Sequence, residues 1–206
     1  MKYLLLLIIA PVFLEGCEDC SGKQVTCPAF DDPSFTMWMP YNQNEELIFN
    51  SATAPNDTFK ITDANVSDIF ESSISANHPY CSAYASFSSR DSDSSSNSNF
   101  YIYYTLQQDQ YTPSTEKSIS IKIKTGDFYS GGFSDTGLIH SGYDIYLSHF
   151  YNTTTISNKI FNEVQEVFVD TTRRVFKLNE IYKLWIAKNK GIVGYEEFHG
   201  NLWVKQ

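Results

Sequence analysis

Hydrophobic and polar residues alternate with a period of two along much of the chain. The cleanest stretch is 118–125 (SISIKIKT), where Ile119, Ile121 and Ile123 fall on one face and Ser120, Lys122 and Lys124 on the other. A strand buried on one side requires this pattern. Shorter versions predict strands at 46–50, 58–62, 80–88, 99–107 and 141–151. The stretch 162–170 fits two periods. Val164 and Phe168 have helical spacing, but β-branched Val167 and Val169 favour a strand. The last part predicts three strands, 181–187, 192–198 and 202–205. Turns at Asn189-Lys190-Gly191 and His199-Gly200-Asn201 separate them. Gly191 and Gly200 suit positive φ in such turns, and Trp203 is placed to seal the core.

The remaining segments carry no clean period. Residues 63–79 are polar and predict a loop with at most one helical turn. Residues 91–99 (DSDSSSNSN) predict a polar loop, and glycine-rich 126–142 an irregular stretch. In the lead-in, Pro28, Pro33 and Pro40 are expected to break regular structure. Met37, Trp38 and Met39 are expected to plug one end of the core. The sum is an all-β fold: an antiparallel meander of about nine or ten strands in a curled sheet or partly closed barrel. Composition agrees, with 15 Phe, 14 Tyr and 3 Trp among 206 residues, because aromatic side chains suit a pleated, half-buried surface.

The N-terminus has a different pattern. Lys2 precedes one apolar run from Tyr3 to Leu14. It is shorter than the ~20 residues that cross a membrane and matches the apolar region of a signal peptide. Leu14-Glu15-Gly16-Cys17 follows. It resembles a lipobox at Leu14, Gly16 and Cys17 and departs from it at Glu15, where a small or apolar residue is usual. The expected organisation is a signal peptide over 1–16, an acylated tether and lead-in over 17–46, and one β-rich domain over 47–206. Lipid on Cys17 would hold the protein at a membrane without a spanning segment, since each buried methylene contributes about 0.8 kcal/mol. Ordinary signal cleavage near Gly16, leaving Cys17 free to pair, is the alternative. Glu18 and Asp19 resemble the acidic surface-export signals of Bacteroidetes lipoproteins, and a solvated tether has the same composition.

The chain has four cysteines, at 17, 20, 27 and 81. With Cys17 acylated, Cys27 and Cys81 are the expected disulfide pair, closing a loop that restricts the unfolded chain by about 4 kcal/mol. Cys20 with Cys27 is the competing pair. The net charge of −9 and the lack of a basic stripe speak against nucleic acid, which needs Lys and Arg to neutralise phosphates.

Ile181-Tyr182, Gly191-Ile192-Val193-Gly194-Tyr195, Gly200 and Trp203, with Lys159-Ile160-Phe161-Asn162-Glu163-Val164 upstream, resemble the C-terminal segment of a group of Flavobacteria-type Bacteroidetes envelope lipoproteins. The lipobox and Trp38-Met39-Pro40 are similar too. The resemblance covers the outer thirds of the chain. It implies a lipid-anchored envelope protein with a β-rich body; the expected location is the outer membrane, on either its surface or its periplasmic face. It implies no activity for any residue.

Chemistry-bearing motifs are sparse. Asp135-Thr136-Gly137 matches the aspartic-protease tripeptide, but the catalytic Asp should follow an apolar strand and share a proton with a second Asp. Gly131-Gly132-Phe133-Ser134 precedes it instead, and a glycine turn explains it better. Asp91, Asp93, Ser95 and Asn97 alternate as calcium ligands do. An EF-hand loop needs Gly and Glu where Ser96 and Ile102 stand. His78, His140, His149 and His199 lack a metal-site spacing. Sequons occur at Asn56, Asn65 and Asn152 and would be incidental in a bacterial lipoprotein. Asp170-Thr171-Thr172 resembles a short O-glycosylation site of exported Bacteroidetes proteins. The expectation is a non-enzymatic binding or scaffolding module without cofactor or metal. Its partners would be a membrane, through the anchor, and an unknown protein or small molecule held in a cavity of the curled sheet. An accessory subunit of an outer-membrane assembly and a secreted hydrolase are the alternatives.

Overall fold

The computed structural model describes residues 33–66, 71–75, 78–89, 100–109, 115–124, 126–134, 136–138, 146–173, 175–177, 180–198 and 200–206. A short helix α1 (Pro33–Trp38) leads into β1 (Glu46–Asn50), β2 (Asp57–Lys60), β3 (Asp63–Val66), β4 (Glu71–Ser75) and β5 (His78–Ser89). Then come β6 (Phe100–Asp109), β7 (Thr115–Ile123), β8 (Gly126–Ser134) and β9 (Gly137–Leu138). The chain ends with β10 (Tyr146–Ile156), β11 (Lys159–Val169), β12 (Ile181–Ala187), β13 (Gly191–Glu197) and β14 (Leu202–Lys205).

These strands make two antiparallel sheets, and neither closes into a barrel. One has the order β10-β11-β12-β13-β14-β1-β2. The other runs β3-β5-β6-β7-β8-β9, with β4 beside β3 along β5. The all-β class holds. The strands are more numerous than the alternation predicts, and they divide between two sheets. The chain changes sheet at Ile61 and Thr62. Ile61 N–H donates to Glu45 O at 2.8 Å in the first sheet, and Thr62 N–H donates to Ser88 O at 2.9 Å in the second. A strand that switches sheets makes a corner of this kind.

Three segments differ from the sequence expectation. Within the polar stretch 63–79, β3 and β4 both pair with β5. In the glycine-rich stretch, β8 pairs with β7, placing Gly131 opposite Ile119 and Gly132 opposite Ser118. Backbone pairing to a well-patterned neighbour sustains these strands where their own side chains show no period. Pro33 does not break the lead-in. It begins α1, where a missing N–H costs nothing, and Pro40 lies just past its end.

The inner faces of the two sheets share one core. Leu47, Phe49, Phe59, Val167, Leu184, Ile186, Tyr195 and Trp203 come from the first sheet. Phe87, Phe100, Ile102, Tyr104, Ile119, Ile121, Ile123 and Tyr129 come from the second. The lead-in is wedged between them. Phe35 stacks on Tyr104 with ring centroids 4.2 Å apart. Tyr41 meets the edges of Phe87 and Phe100 at 5.5 and 5.6 Å. Trp38 and Met39 are buried and Met37 is half-buried. Fully burying each such side chain contributes about 1.5–3 kcal/mol.

Tyr41 also reaches across the core to the first sheet. Its hydroxyl accepts the Ile192 N–H at 2.7 Å, beside Asn189 N–H donating to Met37 O at 2.7 Å. Gly191 makes this approach possible. Its φ is +71°, and a Cβ there would stand 2.5 Å from the Tyr41 hydroxyl. Tyr41→Phe therefore orphans a buried N–H and should cost about 1–3 kcal/mol. Gly191→Ala adds backbone strain to the clash and should cost at least as much. Urea midpoints of the two variants check both. A Gly191→Ala protein as stable as wild type would show that the wedge yields freely.

Candidate functional site

Two clusters of charged and aromatic side chains stand out. One lies between the sheets and the other on the outer face of the first sheet.

The inner cluster is centred on Lys124, in the turn between β7 and β8. Its φ is +60°, a left-handed conformation that costs a non-glycine residue about 1–2 kcal/mol. Its ammonium crosses to the first sheet. It lies 2.8 Å from Asp57 Oδ2 and 2.6 Å from Glu197 Oε1. The Tyr195 hydroxyl donates to Asp57, and Asn201 Nδ2 donates to Glu197 Oε2 at 2.9 Å. The ammonium stands 4.4 Å from the ring centre of Trp203, an added cation–π attraction. Glu197 is 3% exposed and Lys124 18%. With every charge partnered and little surface open, this cluster ties one sheet to the other.

The outer cluster follows from register, because directly paired residues share a face. Leu147, Phe168, Lys183, Glu196 and Leu202 form one row across β10 to β14. His149, Glu166, Trp185, Gly194 and Val204 form the next. Half of this face is covered by the chain itself. β11 bends at Glu163, whose φ is +49°, with Lys188 N–H donating to Glu163 O at 3.1 Å. The β10–β11 hairpin then folds back over β12 to β14. Its tip residues Ile156 and Phe161 bury against Trp185, Val193 and Val204. Gly194 lies beneath, where a Cβ would meet Trp203 O at 2.8 Å. Lys159 Nζ fastens the tip by donating to Lys205 O at 2.6 Å.

The other half of the face is half-exposed, with Lys183 and Glu196 keeping 24% and 25% of their side-chain surface in solvent. Trp185 Nε1 donates to Glu166 Oε2 at 2.7 Å. Lys183 pairs with Glu196 at 3.4 Å, 5.3 Å from the Trp185 ring centre and 5.5 Å from that of Tyr182. Burial first, then its hydrogen bond to Glu196, raises the Tyr182 hydroxyl above its ordinary pKa. His149 packs on Phe168 at 5.4 Å. Phe176, buried at the margin of the inter-sheet core, stacks on Phe198 at 4.7 Å beside Tyr182, and both of these pack against that core. The half-exposed rings of Tyr182 and Phe168, with exposed His149, thus stand near carboxylates held in place by neighbours, while Trp185 and Phe176 are buried. That arrangement offers flat apolar contact together with oriented hydrogen-bond acceptors.

Few of the sequence-predicted residues fall among the described ones. Cys17, Cys20, Cys27, Asp91, Asp93, Ser95, Asn97, Asp135, His140 and His199 lie outside the described residues, as do the side chains of Cys81 and His78. Ser134 and Thr136, flanking Asp135, belong to the turn between β8 and β9, with their hydroxyls 2.8 Å apart. Asp170 accepts from Thr172 N–H at 2.9 Å and from its hydroxyl at 2.6 Å, in an exposed turn. His149 joins the outer face. Among the described residues no three His, Cys, Asp or Glu side chains are placed to hold a metal. No helix among them is long and apolar enough to cross a membrane. Sequence reading missed Glu166, Lys183, Glu196, Lys124, Asp57 and Glu197. The alternation marks Lys124 as outward-facing, and no local signal shows what it reaches. No family model, curated protein or solved structure matches the chain.

Lys124→Met leaves Asp57 and Glu197 buried together without their cation. It should destabilise by about 3–5 kcal/mol. Glu197→Gln keeps one ion pair and should cost less than half as much. Equal losses in thermal unfolding would show that the ammonium does not hold the cluster together. Stability should also depend on alkaline pH. Burial is the first cause that raises the hydroxyls of Tyr41, Tyr129 and Tyr195 above the ordinary 10.0. Groups with a raised folded pKa contribute fully below the unfolded value and lose that contribution as pH climbs past it. The denaturation midpoint should hold up to about pH 9 and fall above about pH 10. Tyrosinate absorbance should appear with unfolding.

Proposed function

We propose that the protein is an exported, lipid-anchored binding module of the bacterial cell envelope. It is fixed to the outer membrane through Cys17 and works without covalent chemistry. The half-exposed part of the outer face, around Tyr182, Lys183, Glu166 and Glu196, meets the ligand. The observation that carries this reading is the pairing of half-exposed aromatic rings with neighbour-held carboxylates on a rigid sheet. Phe35, Tyr41, Phe87, Phe100 and Tyr104 pack between the two sheets, and the outer face is the binding surface this reading favours over an internal cavity. Ring faces stack on the C–H faces of a sugar, and carboxylates accept its hydroxyl protons. The two carboxylates and the net charge of −9 repel anions. A neutral, hydroxyl-rich ligand such as a glycan fits best.

The N-terminal pattern supports the address, and the resemblance to Flavobacteria-type envelope lipoproteins supports the same compartment. The meander-like succession of strands, from β5 to β9 and from β10 to β14, supports a rigid carrier for the face.

Two measurements test the reading. Fatty-acid label in the native host should be incorporated by wild type and lost in Cys17→Ala. Persistent label in that variant would remove the anchor. Neutral glycans should bind with a measurable heat in calorimetric titration. Glu196→Gln, which also releases Lys183, should weaken binding by about tenfold, or about 1.4 kcal/mol. Unchanged binding in Glu196→Gln would place the ligand elsewhere.

A further inference from the structure

The edges of the two sheets are not alike. β2 has four residues and carries Asp57 and Lys60. β3 and β4, which share one edge of β5, are short and carry Asp63 and Glu71. β9 has two residues. Shortness and charge are the devices that keep a strand edge from pairing with another chain.

β10 has neither device. It runs for 11 residues, YLSHFYNTTTI, with no Asp, Glu, Lys, Arg, Pro or Gly, in a chain that is 19% charged. Among the described residues it pairs with β11 alone. The bend opposite Glu163 carries its second half over the outer face, so the in-plane edge considered is 147–151 (LSHFY). Leu147 is 39% exposed on the outer face, and Phe150 is 51% exposed on the opposite one. An aromatic-rich, uncharged stretch of this length, free of proline and glycine, has the composition of segments that pair with themselves.

Charge selects the occupant. A basic strand finds no carboxylate on this edge to meet, and a partner bearing acids gains nothing there. Copies of this chain carry −9 each and repel one another over most surfaces. At β10 they bring no like charge together. Antiparallel pairing about a two-fold axis sets the same strand against itself. Residues of like parity then share a face, so Leu147 and Tyr151 extend one side and Ser148 and Phe150 the other. We infer that the protein forms a two-fold dimer in which β10 pairs with β10 of a second copy, joining two seven-stranded sheets edge to edge. This does not depend on what the outer face binds.

The test uses the full chain in mild, density-matched detergent, with sedimentation equilibrium across a wide concentration range and amide hydrogen exchange at each end of it. The expected result is a reversible dimer whose amides in 147–151 gain protection as it forms. Ser148→Lys with Phe150→Lys should weaken dimerisation about tenfold or more, since like charges then face each other across the new pair. Should that variant lose its fold by circular dichroism, Ser148→Lys with Asn152→Lys, both at exposed positions, takes its place. A monomer at every concentration overturns the inference. So does a dimer with unprotected β10 amides, or one indifferent to the added lysines.

Discussion

The fold depends on the hydroxyl of Tyr41 accepting a buried backbone proton. Two antiparallel sheets with apolar inner faces could slide past each other, because burial of area alone is non-directional. The bond from Ile192 N–H to Tyr41 is directional and has no substitute away from water. The same ring packs edge-on against Phe87 and Phe100 of the other sheet. One side chain therefore fixes β13 relative to β5 and β6. The requirement passes to Gly191, the residue that leaves room for it.

Lys124 ties the sheets at a second place by different physics. It takes up a left-handed backbone and loses most of its hydration to stand between Asp57 and Glu197. Taken singly, a buried ion pair is weak evidence of net stability. Here the geometric consequence matters more: β2, β13 and the β7–β8 turn converge on one ammonium. The aromatic wedge and this ionic tie together make the first sheet a stiff platform, and its outer face presents Glu166, Lys183 and Glu196 at fixed spacings.

That outer face is divided by one backbone angle. Positive φ at Glu163 bends the β10–β11 hairpin over Trp185, Val193 and Val204. Without the bend, the second half of β10 would prolong the open edge, and this apolar half of the face would stand in water. With it, a half-exposed patch of rings and carboxylates lies beside a covered one, and the edge that no other described strand pairs with shortens to 147–151.

Strand identity was set locally. Ile119, Ile121 and Ile123 alternate because one face of β7 must be dry, and all three are buried. Gly191 and Gly200 have positive φ as their turns require, and Trp203 lies in the core. Tertiary structure decided what periodicity does not encode. β3, β4 and β8 are strands because neighbours offer backbone partners, while their own serines and glycines have no pattern. The division into two sheets turns on two successive amides, Ile61 and Thr62, choosing different acceptors. The candidate site is built from Glu166, Lys183 and Glu196, spaced far apart in the chain and unremarkable in their local context. Register alone brings them to one face, and register is a pairing between strands that no single strand contains.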